Sequence, residues 1–319
     1  MKYGNKKIKI IFMGTPDFGV PSLLSLINQV TILAVVTQSD KKVGRKQELS
    51  QSPIKKVALE HKIEVLQPEK IKGNAEFIRR VQNLQPDLIV VVAYGFLLPK
   101  EILNIPKYGV VNVHASLLPK YRGASPIQAA ILNGDKKTGI TIMLIDDKMD
   151  HGPILAQKQI AITNNDNFET LHDKLAQLGA DLLLETLPKY ISGEIKPVAQ
   201  NEAEATYCKI LTKEDGKIDW TKSAVEIERQ VRAFTPWPGS FTYWDNNVLK
   251  ILSASAYAST KLSLTASAVG EVLKINDGLA VACGKDALEV LELQLEAKKP
   301  MSAKEFLNGY PGIVGANLK

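Results

Sequence analysis

Asn112 and His114 stand two residues apart at the start of the segment NVHASLLPKYRGASPIQ, residues 112–128. If this segment opens on a β-strand, both side chains project from the same face and can reach one substrate atom together. An amide can donate to a developing oxyanion, and an imidazole can donate a hydrogen bond or carry a proton. The two residues are therefore a candidate catalytic pair, with a purely structural histidine as the alternative.

Carboxylates gather in the segment that follows residues 140–145, at Asp146, Asp147 and Asp150. A carboxylate beside an imidazole favours the protonated ring and fixes its orientation, so this loop can supply a partner for His114. A solvated turn and a metal site are the alternatives. We rank the metal site low, because His151 is the one histidine near these carboxylates in the sequence.

The elements that must position these residues are short β-rich runs that alternate with helical patterns up to about residue 190. This alternation predicts an α/β domain with a mostly parallel sheet covered by helices. Five strands are predicted, at residues 8–13, 31–37, 88–93, 110–114 and 140–145. Because open α/β sheets bind ligands at the carboxyl ends of their strands, we expect the pair and the carboxylates to meet at that edge.

Helix signals fall between the predicted strands. A capping residue followed by proline starts a helix at Thr15 and another at Ser125, and residues 168–191 predict one long helix that ends before Gly193. The segment GTPDFG, residues 14–19, follows the first strand but lacks the spacing of a dinucleotide-binding or phosphate-binding loop. The sequence therefore argues against the binding of a nicotinamide cofactor or a nucleoside triphosphate at this loop.

The second part of the chain has a different pattern of predicted secondary structure. It has one helical pattern, at residues 224–234, and several short strands separated by Asn- and Gly-containing turns. We predict a first domain over residues 1–195, a linker over 196–217 and a smaller β-barrel domain over 218–319. No internal repeat is recognised.

Composition and charge limit the class of protein. A hydrophobic content of 45% with 23% charged residues is typical of a globular chain. The most apolar stretch, residues 88–98, is far shorter than the roughly 20 residues of a membrane span, and the amino terminus lacks a signal-peptide pattern, so we expect no membrane association and a cytoplasmic location. Of the net charge of +6, residues 37–56 hold six cations against two anions. Such a cluster attracts phosphate backbones or is solvated surface.

Four segments, FMGTPDFGVPSL, VVAYGFLLP, NVHASLLPKYRGASPI and MDHGPIL, together resemble the 10-formyltetrahydrofolate-dependent formyltransferases. The basic loop after TQSD, the IDW of residues 218–220, the TPWPGS of residues 235–240 and the β-rich tail resemble the methionyl-tRNA formyltransferase family in particular. The match spans nearly the whole chain. It implies a Rossmann-like formyltransferase domain, a basic linker and an OB-like barrel.

The resemblance also implies site residues. The implied catalytic residues are Asn112, His114 and Asp150. The implied folate-binding residues are Ser116, Leu117, Leu118 and Pro119. The implied transfer-RNA contacts are Arg45, Lys46 and Lys209, and Lys46 stands where relatives commonly have glycine.

The implied reaction transfers the formyl group of 10-formyltetrahydrofolate to the α-amino group of methionine on initiator transfer RNA, without a metal and by a monomeric enzyme. The same chemistry on another amine, or on water as a deformylase, is the nearest alternative. A nucleic-acid-binding protein with a degenerate enzyme fold is a further one.

Overall fold

The computed structural model describes residues 2–3, 6–43, 48–257 and 268–319. The chain forms two compact units. The first contains Met1–Pro126, Lys137–Ala161 and His172–Cys208, and the second contains Ile127–Lys136, Ile162–Leu171 and Lys209–Lys319. The last division, between residues 208 and 209, lies inside the predicted linker.

The first unit is built on a seven-stranded sheet. Its strands are β1 Lys9–Gly14, β2 Thr31–Val36, β3 Val65–Leu66, β4 Leu88–Val92, β5 Val110–His114, β6 Lys137–Leu144 and β7 Ile154–Ala161. Their order is β7-β6-β5-β4-β1-β2-β3. Strands β1 to β5 are parallel, while β6 is antiparallel to both β5 and β7. The prediction of a mostly parallel α/β sheet is confirmed.

Burial explains the composition of these strands. Every residue of β4 is buried, as are residues 10–14 of β1, since helices cover a parallel sheet on both faces. The strand order reverses between β1 and β4, which is the kind of switch point where α/β sheets open a crevice for ligands.

The described residues of this part of the chain form six helices: α1 Val20–Ile27, α2 Pro53–Glu60, α3 Ala75–Leu84, α4 Lys100–Leu103, α5 Pro126–Leu132 and α6 Phe168–Ile191. Side chains cap α2, α3 and α6, because Ser52 accepts from Lys55 N at 3.0 Å, Asn74 from Phe77 N at 3.0 Å and Asn167 from Thr170 N at 2.9 Å. The predicted bounds of α6 are confirmed, and Gly193 beyond it has a φ of +82°.

The predicted helix start at Thr15 is wrong. A 3-10 turn, Asp17–Gly19, precedes α1, and the hydroxyl of Thr15 donates to the carbonyl of Tyr94 at 3.2 Å instead of capping a helix. A Cβ on Gly14 would lie 2.9 Å from the carbonyl oxygen of Val92, so the chain leaves β1 in close contact with β4. This contact directs Thr15 toward β4.

Three short strand pairs complete the description of this part. Lys2–Tyr3 pairs with Lys6–Lys7 and Lys41–Val43 pairs with Glu48–Ser50, both antiparallel. Arg122–Gly123 pairs with Tyr207–Cys208 in parallel. A 3-10 turn at Glu202–Glu204 precedes this last pair.

In the second unit, the described residues form an antiparallel sheet and two helices. Its strands are β8 Ser240–Trp244, β9 Asn247–Tyr257, β10 Val272–Ile275, β11 Gly278–Ala282, β12 Ala287–Leu295 and β13 Met301–Ser302. The helices are α7 Ala224–Phe234 and α8 Ala303–Gly309, and 3-10 turns lie at Lys213–Gly216 and Pro311–Ile313. The strand order is β8-β9-β12-β11-β10, with β13 on β12. The prediction of a smaller β-rich domain is confirmed.

Residues 315–319 connect the two edges of this sheet. Tyr243 N of β8 donates to Lys319 O at 3.1 Å, while Val272 N of β10 donates to Ala316 O at 2.8 Å. Because backbone groups of both edge strands thereby find partners, the sheet approaches a closed barrel.

An aromatic group lies in the core of this unit. Phe306 on α8 has no exposed surface, and its ring centroid lies 5.9 Å from that of Trp244 and 4.7 Å from that of Tyr310. The capping box of Ser302 and Glu305 begins α8 and holds Phe306 against the sheet.

Truncation of this side chain should destabilise the second unit. We expect Phe306→Ala to lower the free energy of unfolding by about 3–5 kcal/mol, through lost burial and the cavity left behind. Denaturant unfolding would measure the change. Lys304→Ala, at an exposed position of the same helix, should change it by less than about 1 kcal/mol. Equal effects of the two substitutions would contradict the packing argument.

Candidate active site

Strand β5 carries the two residues with which the sequence argument began. Asn112 and His114 share one face of the strand, between neighbours β4 and β6. The side chain of His114 is only 6% exposed, and Asn112 is half-buried. Both side chains are thus held in a packed environment.

The loop with the carboxylates leaves the sheet differently from the prediction. Because β6 is antiparallel, Leu144 lies opposite Val111, and Ile145 N donates to Val110 O at 2.8 Å. The loop therefore begins at the amino end of β5, not at the carboxyl end where His114 lies. The expectation that strand and loop end at one edge is wrong, since an apolar run does not reveal strand direction.

The loop returns because glycine permits a close backbone contact. A Cβ on Gly152 would lie 1.9 Å from the carbonyl oxygen of Leu144, so only glycine fits there. Asp150, two residues earlier, has a φ of +48°, in the left-handed region that aspartate tolerates better than most residues. This path brings the Asp150 side chain alongside β5.

The three side chains of the predicted catalytic group lie close together. Oδ1 of Asp150 is 3.5 Å from Nδ2 of Asn112 and 3.6 Å from Nδ1 of His114. Oδ2 accepts a hydrogen bond of 2.8 Å from Gly123 N. One carboxylate thus faces an amide, an imidazole and a backbone N–H group.

The hydrogen bonds of His114 distinguish its two ring nitrogens. Nε2 lies 3.0 Å from the carbonyl oxygen of Tyr121, which can only accept, so Nε2 carries a proton. Nδ1 then faces Asp150 and is the nitrogen that can gain or release a proton. Nδ1 and the Asp150 carboxylate therefore lie opposite each other, 3.6 Å apart.

Hydrogen bonds fix the conformation of the segment that is predicted to bind folate, residues 116–119. The Ser116 hydroxyl is buried and donates to Lys120 O at 2.5 Å. Leu118, only 3% exposed, donates through its N–H to Thr141 Oγ1 at 3.1 Å and accepts at its carbonyl from Gln157 Nε2 at 2.8 Å. The side chain of Ser116 and the main chain of Leu118 therefore shape the loop, while Leu117 and Pro119 are half-buried and remain accessible.

A buried arginine that the sequence argument did not select lies beside the carboxylate loop. Arg122, 1% exposed, donates to Gln200 Oε1 at 2.8 Å and to the two oxygens of Glu202 at 2.7 and 3.0 Å. The amide of Gln200 donates to the carbonyls of Asp150 and Gly152, each at 2.8 Å. Arg122 lies inside the motif NVHASLLPKYRGASPI, but no sequence pattern indicated a role for Gln200 or Glu202 in the predicted linker.

Charged neighbours surround this arginine. Its guanidinium holds the pKa of the Glu202 carboxyl below its ordinary value. His151 lies between two carboxylates, with Nδ1 2.5 Å from Asp146 and Nε2 3.3 Å from Glu202.

Neither nucleophilic cysteine chemistry nor metal binding is supported here by the part of the chain that the structure describes. Burial raises the pKa of the Cys208 thiol, which makes it a poor nucleophile. Among the described residues, no group of three or more His, Cys, Asp or Glu side chains is arranged to hold a metal ion.

Of the three residues predicted to contact transfer RNA, the structure describes Lys209. Arg45 and Lys46 lie outside the described residues. Lys209 is exposed and forms an ion pair with Asp215, which lowers the pKa of that carboxyl to about 2. The expectation of a basic linker is wrong, because its cations and anions balance. They are Lys196, Lys209, Lys213 and Lys217 against Glu202, Glu204, Glu214 and Asp215.

Within the described ranges, no helix is both long enough and apolar enough to cross a bilayer.

Two family models match the chain, one described as formyl transferase over residues 6–187 and one as formyl transferase, C-terminal domain, over residues 210–311. The methionyl-tRNA formyltransferase of Caldanaerobacter subterraneus subsp. tengcongensis is 49% identical, over 98% of this chain and 100% of the relative. That of Enterococcus faecalis is 47% identical, over 97% of each.

Solved structures with the same fold are more distant in sequence. WlaRD, a sugar 3N-formyltransferase solved in the presence of dTDP and 5-N-formyl-THF, matches with a TM-score of 0.65 at 20% identity, over 92% of this chain and 100% of that one. HypX from Aquifex aeolicus matches with a TM-score of 0.63 at 16% identity, over 97% of this chain and 50% of that chain. This chain therefore spans about half the length of HypX.

The pair of Arg122 and Glu202 generates a pH-dependent prediction. Because the pKa of Glu202 is lowered on folding, its contribution to stability is present above its ordinary value of 4.5 and is lost as pH falls through the lowered value. Glu202→Gln should lower the free energy of unfolding at neutral pH, and only modestly, because Glu202 is more than half exposed and water screens its charge.

Denaturant unfolding of both proteins from neutral pH down to about pH 3 would check this, and the difference should shrink as Glu202 becomes protonated. Glu204→Gln, two residues away on the exposed side of the same turn, is the control. A difference that stays constant with pH would show that the charge of Glu202 is not the cause.

Proposed function

The chain belongs to the formyl transferase family, and from this membership we propose that it transfers the formyl group of 10-formyltetrahydrofolate to the α-amino group of methionyl-tRNA. One observation supports methionyl-tRNA as the acceptor of the formyl group. Relatives that match over nearly their whole length, at 43–49% identity, are methionyl-tRNA formyltransferases. The two parts of the chain each match a family model, so the whole chain takes part in the resemblance.

The reaction is an acyl transfer between two nitrogens. The neutral α-amino nitrogen attacks the formyl carbon, and the carbonyl oxygen gains negative charge in a tetrahedral intermediate. The bond between the formyl carbon and N10 then breaks. The amine loses one proton and N10 gains one, so the site must stabilise an oxyanion and transfer a proton.

The polar groups along β5 match these needs. Asn112 has an amide N–H that can donate to the oxyanion and orient the formyl group. Asp150 faces both Asn112 and Nδ1 of His114, so a proton taken from the amine can pass to N10 through the carboxylate and the imidazole. His114 with a proton on Nδ1 adds a second donor near the oxyanion.

The formyl donor is assigned to the segment that follows β5. Leu117 and Pro119 are the accessible side chains of the predicted folate-binding residues, while Ser116 and Leu118 hold the loop in shape. Phe96 and Leu97, which follow the neighbouring strand β4, are exposed apolar side chains and fit a flat, partly apolar ring system.

The experiment that tests this function supplies the chain with 10-formyltetrahydrofolate labelled in the formyl group. Four reactions are compared, with methionyl-tRNA, with uncharged transfer RNA, with a nucleotide-linked amino sugar and with no acceptor. We expect label to appear on methionyl-tRNA, and uncharged transfer RNA should remain unlabelled. Transfer to the sugar, or release of formate without an acceptor, would replace the proposal with the corresponding alternative.

The role of Asn112 predicts a selective loss of rate. Asn112→Ala should lower kcat by roughly 10²–10³-fold, the typical cost of one oxyanion donor. Folate affinity, measured by equilibrium binding, should stay near that of the wild type. Asn83→Ala, on the exposed side of α3, is the control and should retain full activity. Near-normal turnover by Asn112→Ala would remove this residue from the mechanism.

The basic loop predicts a selective loss of RNA affinity. We propose that Arg45 contacts the acceptor end of the transfer RNA, as the family resemblance implies. Arg45→Ala should raise the KM for methionyl-tRNA far more than the KM for the folate, because phosphate and base contacts act on one substrate only. Lys56→Ala removes one charge from the same cluster and should have a smaller, purely salt-dependent effect. Equal changes in both KM values would speak against this role.

A further inference from the structure

Residues 198–208, here called the bracing segment, run beside the candidate active site although they are distant from it in sequence. Val198 exchanges two backbone hydrogen bonds with Ile154, of 2.7 and 2.9 Å. Farther along, Thr206 N donates to Pro119 O at 3.2 Å, and Arg122 N donates to Thr206 O at 2.9 Å. The bracing segment thus pairs with the chain on both sides of the catalytic group.

Gln200 has the most specific contacts in this segment. Its amide nitrogen donates to the carbonyls of Asp150 and Gly152, and its amide oxygen accepts from Nη2 and Nε of Arg122 at 2.8 and 3.1 Å. Both polar ends of one side chain are therefore bonded. A residue with a single hydrogen-bonding function could not make both sets of contacts.

We propose that Gln200 is a positioning residue for formyl transfer, acting through Asp150, an inference that rests on the proposed function. A non-glycine residue in the left-handed region is strained, so the backbone of Asp150 persists there only where its surroundings hold it. The two bonds from Gln200 hold the carbonyl groups of Asp150 and Gly152, the residues on either side of His151. They keep Oδ1 facing Asn112 and His114.

Arg122 connects this backbone support to the carboxylate itself. Its guanidinium binds Gln200, and the next residue, Gly123, donates its N–H to Oδ2 of Asp150 at 2.8 Å. A Cβ on Gly123 would lie 2.2 Å from Cys208 O, so the bracing segment also sets the position of that N–H group. Main chain and side chain of Asp150 are therefore held by one connected set of bonds.

The same segment orients His114 indirectly. The carbonyl of Tyr121 accepts from Nε2 of His114, and the N–H of Tyr121 donates to Thr206 Oγ1 at 2.9 Å. Displacement of the bracing segment would thus move both partners of the proton transfer. Gln200 is the best place to test this, since it is half-buried and its substitution leaves the buried Arg122 in place.

The test is Gln200→Met, which keeps the shape and neutrality of the side chain but removes both hydrogen-bonding functions. We expect kcat for methionyl-tRNA formylation to fall by roughly 10²-fold, the cost of a displacement of about 1 Å at a reacting centre. KM for both substrates should stay near the wild-type values. The unfolding midpoint should fall, because Arg122 loses an acceptor, but circular dichroism at the assay temperature should show a folded chain. Amide hydrogen exchange at Gly123 should accelerate, because its acceptor on Asp150 is no longer held. Gln82→Met, on the exposed side of α3, is the matched control and should change neither readout.

A double-mutant cycle separates positioning from an independent effect. In an Asp150→Asn background, Gln200→Met should lower the remaining rate by no more than about 2-fold, because the group through which it acts is already lost. The same fold-loss in both backgrounds, or an unchanged kcat in Gln200→Met, would overturn the inference while leaving the proposed function intact. A wild-type chain that fails to formylate methionyl-tRNA would instead overturn the proposed function, and this inference with it.

Discussion

The carboxylate of Asp150 is the group on which the arrangement of the first unit depends. A carboxylate with little exposed surface is costly unless donors surround it, and here it faces Asn112, His114 and the N–H of Gly123. To supply these donors, the backbone of Asp150 adopts a left-handed conformation. Gly152, where a Cβ would meet the Leu144 carbonyl, lets the loop come back to β5.

The sheet provides the rigid part of this arrangement. Strand β5 lies inside the sheet, bonded to β4 on one side and β6 on the other, so Asn112 and His114 have little freedom to move. The antiparallel direction of β6 makes the following loop return along β5, which permits Asp150 to face the middle of the strand. A parallel β6 would have ended near His114 and required a different loop.

Local patterns predicted the regular elements well. The bounds of β5, α6 and α7 agree with their prediction, because apolar periodicity and glycine stops are properties of neighbouring residues. The helix start expected at Thr15 failed, since contact of Gly14 with β4 drew the threonine hydroxyl to Tyr94. The expectation of a basic linker is wrong in its charge, and Gln200 of the same segment hydrogen-bonds to the backbone of Asp150 and Gly152.

The sequence by itself determined the family, the chemical types of the candidate catalytic residues and the strand that carries two of them, because motifs and alternation are local. Only the tertiary structure decided that Asp150 meets them, that Nδ1 of His114 is the nitrogen facing it, and that Gln200 supports the loop. These outcomes depend on contacts between residues 36 to 50 positions apart and on strand direction. No periodicity within a single segment encodes such contacts.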